Sequence, residues 1–241
     1  MKIVMINYTG TVGKTTLAAN LFAPRMPDAQ IFAIETINET VESLGIDVEK
    51  IKGDRFMEYY TKIMLADNAI IDVGASNVEF FLSGMMKFKQ SVADFDYFVI
   101  PVTSGVKEQR ETVSVFGALL EADIPPEKIK ILPNRVEQDV ESEFAHLVRF
   151  AHSEPRFAFQ REAAVFENEL YDMLSSYQVT ITDLLKDETD YRALARATAR
   201  SEDQTQLKRY TDFHLMKMLA LTVHENLEQV FRSVFREAAH V

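Results

Sequence analysis

The chain has 241 residues, 47% hydrophobic and 26% charged, which excludes a wholly disordered protein and suits one large domain or two small ones. It holds no cysteine, so a disulfide framework, a Cys-ligated zinc site and a Cys-held iron–sulfur cluster are all excluded. A net charge of −11, from 26 Lys/Arg and 37 Asp/Glu, argues against coating nucleic acid through overall charge, although the stretch from Lys186 to Val241 carries nine basic and nine acidic residues and is neutral.

Up to about residue 135 two patterns alternate. Strand-like runs fall at Lys2–Asn7, Gln30–Glu35, Asn68–Asp72, Asp96–Val102 and Lys128–Asn134. Helical stretches lie between them at Lys14–Phe22, Asp54–Leu65, Val78–Gln90 and Val106–Ala122. This spacing predicts an α/β fold with a doubly wound, mostly parallel sheet. Near-continuous apolar strands such as Ile3-Val4-Met5-Ile6 fit burial on both faces. Beyond Glu137 the pattern predicts a helix over Glu137–His152, a short last strand at Arg156–Phe159 and a helix over Phe166–Ser176. Two further helices are expected at Asp183–Arg200 and Thr205–Ala239, the second with an apolar stripe at Leu215, Met216, Leu219, Val223, Leu227, Val230, Phe231, Val234 and Phe235. The expected organisation is a nucleotide-binding domain over 1–182 and a helical extension over 183–241, packed on it or forming an interface. No run approaches the ~18 apolar residues of a membrane span. The opening Met1–Ile6 has no charged leader, so a cytoplasmic location is expected.

The strongest local signal is Asn7-Tyr8-Thr9-Gly10-Thr11-Val12-Gly13-Lys14-Thr15-Thr16, directly after an apolar strand and opening a helix. Loop amides and the positive helix end bind an anion together. Gly10 and Gly13 allow close approach of backbone to phosphate, with Thr11 and Val12 between them. Lys14 would reach the β- and γ-phosphates, the Thr15 hydroxyl would ligate Mg²⁺, and Thr16 would meet the α-phosphate. A dinucleotide turn is a poorer fit, because only two glycines are present and a lysine follows.

Ala69-Ile70-Ile71-Asp72 is an apolar strand ending in a carboxylate, the Walker B pattern, and Asp72 can hold Mg²⁺ or orient water. Leu132-Pro133-Asn134-Arg135 follows the fifth predicted strand, where Asn134 could read a base edge and Arg135 could stack on its face. The run Asn134-Arg135-Val136-Glu137 also loosely echoes the base reader of GTPases, so GTP stays open beside ATP.

At these residues the chain resembles the ParA/MinD group of P-loop ATPases (SIMIBI-like), whose loop reads Lys-Gly-Gly-x-Gly-Lys-Thr. The opening Met1–Asn7, the loop Thr9–Thr16 and Leu21-Phe22-Ala23-Pro24-Arg25 look most like StbB-type plasmid stability proteins. The resemblance covers roughly residues 1–180. It implies an ATP- and Mg²⁺-dependent switch, a nucleotide-dependent homodimer, a small DNA-binding adaptor as partner, and a role in plasmid stability, partition or conjugation. Two departures stand out. The family's signature lysine, which reaches the partner's nucleotide, is Thr9 here. The acidic pair after the second strand reads Glu35-Thr36-Ile37, so only Glu35 can assist. Slow or partner-stimulated hydrolysis is therefore expected. The rival readings are a P-loop kinase or synthetase for a small metabolite and a degenerate nucleotide-binding scaffold.

Elsewhere the signals are weaker. The five histidines are scattered, and no zinc helix or nucleophile elbow occurs. Arg192, Arg196 and Arg200, spaced i, i+4, i+8, could touch DNA backbone, but a solvated face paired with the acidic body is the favoured reading.

Overall fold

The computed structural model describes residues 1–35, 47–200 and 203–235. Among these, seven strands form one sheet: β1 Lys2–Met5, β2 Gln30–Glu35, β3 Glu49–Lys52, β4 Ala69–Val73, β5 Tyr97–Val102, β6 Ile129–Val136 and β7 Val165–Phe166. Their order is β3-β2-β4-β1-β5-β6-β7, and every pairing is parallel. β1 is central: β5, β6 and β7 follow outward on one side, while on the other the chain runs out to β2 and β3 and returns to set β4 beside β1. The crevice at the carboxyl end of β1 is therefore the place where such a sheet opens to a ligand.

Alternation along the strands divides the core. Val4, Phe32, Ile71, Phe98 and Ile100 face α2 (Phe56–Leu65), α3 (Val78–Lys87), α4 (Val106–Glu121) and α6 (Ala145–Ser153). Ile3, Met5, Ile70, Val99 and Leu132 face the other way, onto α1 (Lys14–Leu17), α7 (Leu170–Tyr177), α8 (Ile181–Lys186) and the 31-residue α10 (Gln204–Val234). Both faces of the central strands are thus dry, which explains their unbroken apolar runs.

Several expectations need correction. The edge strand β3 reads Glu-Lys-Ile-Lys, and only Ile51 is buried. Charges of this kind blunt an exposed edge and hide the strand from a hydrophobic scan. Arg156–Phe159 is not a strand. Only Phe159 makes a single parallel bridge, to Ile131, while Phe157 sits edge-on between Phe116 and Phe150 with ring centroids 4.9 Å from each. The last strand is Val165–Phe166, and the helix expected from Phe166 starts at Leu170.

The helix expected over Glu137–His152 is broken. The Glu143 carboxylate accepts the backbone N–H groups of Glu137, Gln138 and Asp139, and Asp139 caps the short α5 (Val140–Glu143) by accepting from Ser142 N–H at 2.9 Å. The stretch Asp183–Arg200 is likewise two helices, α8 and α9 (Tyr191–Thr198). Asp187 accepts from Thr189 N–H at 2.8 Å and from the Tyr191 hydroxyl at 2.7 Å, and Asp190 caps α9. Side-chain acceptors of this sort compete with the helix and set its ends.

The stripe on α10 is real but shifted at its start. Leu215 faces outward, while Phe213, Met216, Ala220, Val223, Leu227, Val230 and Val234 are buried against the sheet's α1 side. The end expected at Ala239 lies outside the described residues. Leu227→Ala should therefore cost about 2–5 kcal/mol of stability. Met218→Ala, at a side chain 64% exposed, should stay within about 0.5 kcal/mol of wild type. Urea denaturation midpoints of the two variants check both.

Candidate functional site

β1 delivers the chain to Asn7, a fully buried amide at the carboxyl edge of the sheet. Its Oδ1 accepts the Thr9 N–H at 3.0 Å, while its Nδ2 donates to the Pro101 carbonyl at 2.8 Å and to the Thr112 hydroxyl at 3.2 Å. One side chain thus turns the chain out of β1 and ties the turn to β5 and α4. A 3₁₀ turn over Gly10–Val12 follows, then Gly13 with φ +82°, then α1 from Lys14.

The two glycines have different reasons. Gly13 is left-handed, and a Cβ there would lie 2.6 Å from Asn134 Nδ2. A side chain is therefore opposed by the backbone and by the neighbour together. A Cβ on Gly10 would meet nothing within 4 Å, because it borders open space in the loop. Thr11 beside it is exposed and Val12 is buried.

Lys14 is 4% exposed, and its ammonium curls back into the loop. Nζ donates to the Thr9 carbonyl at 2.8 Å and to the Asn7 carbonyl at 3.4 Å. A buried cation needs such acceptors, and phosphate oxygens would offer stronger, charge-assisted ones. The next residue, Thr15, donates its hydroxyl to Asp72 Oδ2 at 2.6 Å. Parallel pairing of Met5 with Asp72 brings that carboxylate to the loop. A hydroxyl and a carboxylate are hard oxygen donors of the type Mg²⁺ takes, with phosphate and water completing its shell. Among the described residues no group of three His, Cys, Asp or Glu forms a metal site of its own. Thr15 and Asp72 together supply two oxygen ligands, and a metal held there would take the rest of its shell from phosphate and water.

Glu35 ends β2, one strand beyond Asp72, with its Cγ 3.6 Å from where a Gly74 Cβ would stand. It borders the loop after Asp72 rather than the turn that holds Lys14. The companions Thr36 and Ile37 lie outside the described residues.

On the other side, Asn134 at the end of β6 donates Nδ2 to the Val12 carbonyl at 2.8 Å. Arg135 has φ +56° at a register shift between β6 and β7, and its side chain turns outward toward Glu167, Nε to Oε2 3.9 Å. A cavity of about 170 Å³ opens here, lined by Gly13, Thr16, Asn134, Arg135, Tyr171 and Asp172 among others. It runs from the start of α1 to the wall of α7. Below it, α1 widens into a π-type turn over Ala18–Phe22, a distortion that recurs at functional sites.

The sequence reading missed three parts of this site. Asn7 sat in the quoted loop, and its polarity at the end of an apolar strand was the available signal. The α7 wall carries no motif and is found only once β7 is placed. Glu111 is the third. Thr9 is buried, and its hydroxyl donates to Glu111 Oε2 on α4.

The arginines of α9 stand apart from the loop. Arg192 and Arg196 are exposed on the helix, and Arg200 lies beyond its end at Thr198, so the three do not share one continuous helical face. Nearby basic groups are engaged internally: Lys208 with Asp212 at 2.6 Å, Arg209 over the Phe213 ring, and Lys217 on the Asp187 and Thr189 carbonyls.

The glycine geometry makes a paired prediction. Gly13→Ala should lose about 1–2 kcal/mol from the left-handed backbone alone, with the Asn134 clash added. Gly10→Ala should fold as wild type but weaken phosphate binding. Denaturation curves set beside tripolyphosphate titrations check this.

No protein-family model matches the chain, and no curated protein matches it. Among the described residues, no helix is long and apolar enough to cross a membrane. Solved structures do match. A chain of the MinC:MinD cell division protein complex of Aquifex aeolicus aligns over 100% of this chain and 98% of its own, with 12% identity and a TM-score of 0.55. A ParA family ATPase from Chlorobium tepidum TLS aligns over 91% of this chain and 98% of its own, with 13% identity and a TM-score of 0.51. At such identities the likeness is one of fold, and by its all-parallel sheet and flanking helices this chain has the ParA/MinD-like P-loop fold.

Proposed function

We propose that this chain is a ParA/MinD-like switch that binds ATP with Mg²⁺ at Gly10–Thr16 and hydrolyses it slowly unless a partner assists. The observation that carries the proposal is the Lys14 ammonium, buried inside a loop whose next hydroxyl is bonded to a strand-end carboxylate. Lys14 would leave its carbonyl partners for the β- and γ-phosphates. Thr15 and Asp72 would hold Mg²⁺, which when bound supplies neutralisation of phosphate charge. Thr16 lines the cavity where an α-phosphate would lead into a nucleoside.

Asn134 gives one amide N–H to the Val12 carbonyl, which leaves its second N–H and its carbonyl oxygen to meet a base. A donor and an acceptor on one amide suit the N7 and exocyclic amine of adenine together. Arg135 lies at the rim and Glu35 assists from the neighbouring strand. Slow hydrolysis follows from Thr9. A hydroxyl brings no charge to the transition state, and this one is already given to Glu111.

The biological setting we assign, plasmid stability or partition with a small DNA-binding adaptor and a nucleotide-dependent homodimer, is supported by the StbB-like opening segment. A cytoplasmic site of action goes with that setting.

Titration of fluorescent ATP and GTP analogues with Mg²⁺ tests the reading, and ATP is expected to bind more tightly. Lys14→Ala should weaken binding by about tenfold or more, the worth of a charged hydrogen bond. Partner-free turnover should fall below the roughly 1–10³ s⁻¹ of typical enzymes. Absence of binding by wild type would end the proposal and favour a scaffold.

A further inference from the structure

We infer that Glu111 is a specificity-determining residue that sets the balance between nucleoside triphosphate and diphosphate by holding a negative charge against the phosphate loop. The inference rests on the nucleotide reading above. Glu111 lies on the second turn of α4, with its side chain 27% exposed. Its Oε2 accepts the Thr9 hydroxyl, and its Oε1 lies 3.5 Å from the Lys107 ammonium one turn earlier. Thr9 in turn gives its carbonyl to Lys14 at 2.8 Å. The charges therefore run in a short chain: Lys14 inside the loop, Glu111 behind Thr9, and Lys107 outside at 75% exposure.

Anchoring Thr9 does not require that charge. A glutamine amide oxygen also accepts a hydroxyl, in a weaker bond that keeps the same contact. The turn is also held independently, by Asn7 on the Thr9 N–H at 3.0 Å and on the Thr112 hydroxyl at 3.2 Å. The charge also acts beyond that bond, and the Lys14 end of the loop is where a terminal phosphate would sit. Like charges a few ångströms apart near a protein surface oppose each other strongly. A γ-phosphate drawn to Lys14 would add negative charge beside Thr9 that a diphosphate lacks, so Glu111 would select against the triphosphate. Lys107 moderates this selection from the solvent side.

The two residues therefore have opposite effects. On the full chain, with fluorescent ATP and ADP analogues and Mg²⁺ at low ionic strength, Glu111→Gln should raise the ATP:ADP affinity ratio roughly tenfold. Lys107→Gln, a substitution at an exposed side chain, should lower the ratio several-fold. Both shifts should shrink in 0.5 M salt, since charge beside solvent is screened. Inorganic tripolyphosphate against pyrophosphate should repeat the pattern without a nucleoside. A merely structural Glu111 would loosen both nucleotides alike and leave the ratio unmoved, and that result would overturn the inference while the nucleotide reading stood. If wild type and Glu111→Gln alike bind neither nucleotide nor tripolyphosphate, the phosphate-loop reading fails and this inference fails with it. Binding gained only in Glu111→Gln would support it.

Discussion

A buried ammonium organises this molecule's carboxyl edge. Lys14 has almost no contact with solvent, so its charge must be met by oxygen atoms brought to it. The loop supplies them by bending the Asn7 and Thr9 carbonyls inward. That bend depends on the Asn7 side chain and on a left-handed Gly13 wedged against Asn134. The turn is thus held by contacts within the chain itself. Phosphate oxygens would offer such an ammonium stronger, charge-assisted acceptors than backbone carbonyls do.

The sheet order makes this one turn reach many elements. β1 is central, flanked by β4 with Asp72 and β5 with Pro101, and the loop contacts both. Asn7 and Thr9 also bind α4 through Thr112 and Glu111, on one face of the sheet. The cavity beyond Gly13 ends on α7, on the other face. The loop is therefore bonded to α4 on one layer and shares a cavity with α7 on the other, contacts through which the proposed switch would act.

Much of this was legible in one dimension. The central strands announce themselves because both of their faces are dry, and Gln30–Glu35 was placed to the residue. The loop stood out because glycine and lysine fall in it at the offsets that a phosphate turn uses. Errors gathered where local side chains outbid helical or strand periodicity. Glu143 and Asp139 broke one helix, and Asp187 and Asp190 broke another. Charged β3 and two-residue β7 lie at the sheet's edges, where apolar patterning is weakest. Phe157 and Phe159 looked like a strand because an aromatic cluster and a buried strand draw on the same residues.

The sequence alone determined the α/β class and the parallel sense of the sheet, and it singled out the Gly-Lys-Thr turn after β1, because strand–helix alternation and a short turn motif are local patterns with local causes. Only the tertiary structure decided that Thr9 is tied to a carboxylate 102 residues away, that Arg135 swings out to Glu167, and that Leu215 turns from the core while Phe213 enters it. These outcomes depend on which distant elements pack together. No spacing within a single segment encodes the partner that meets it from across the sheet.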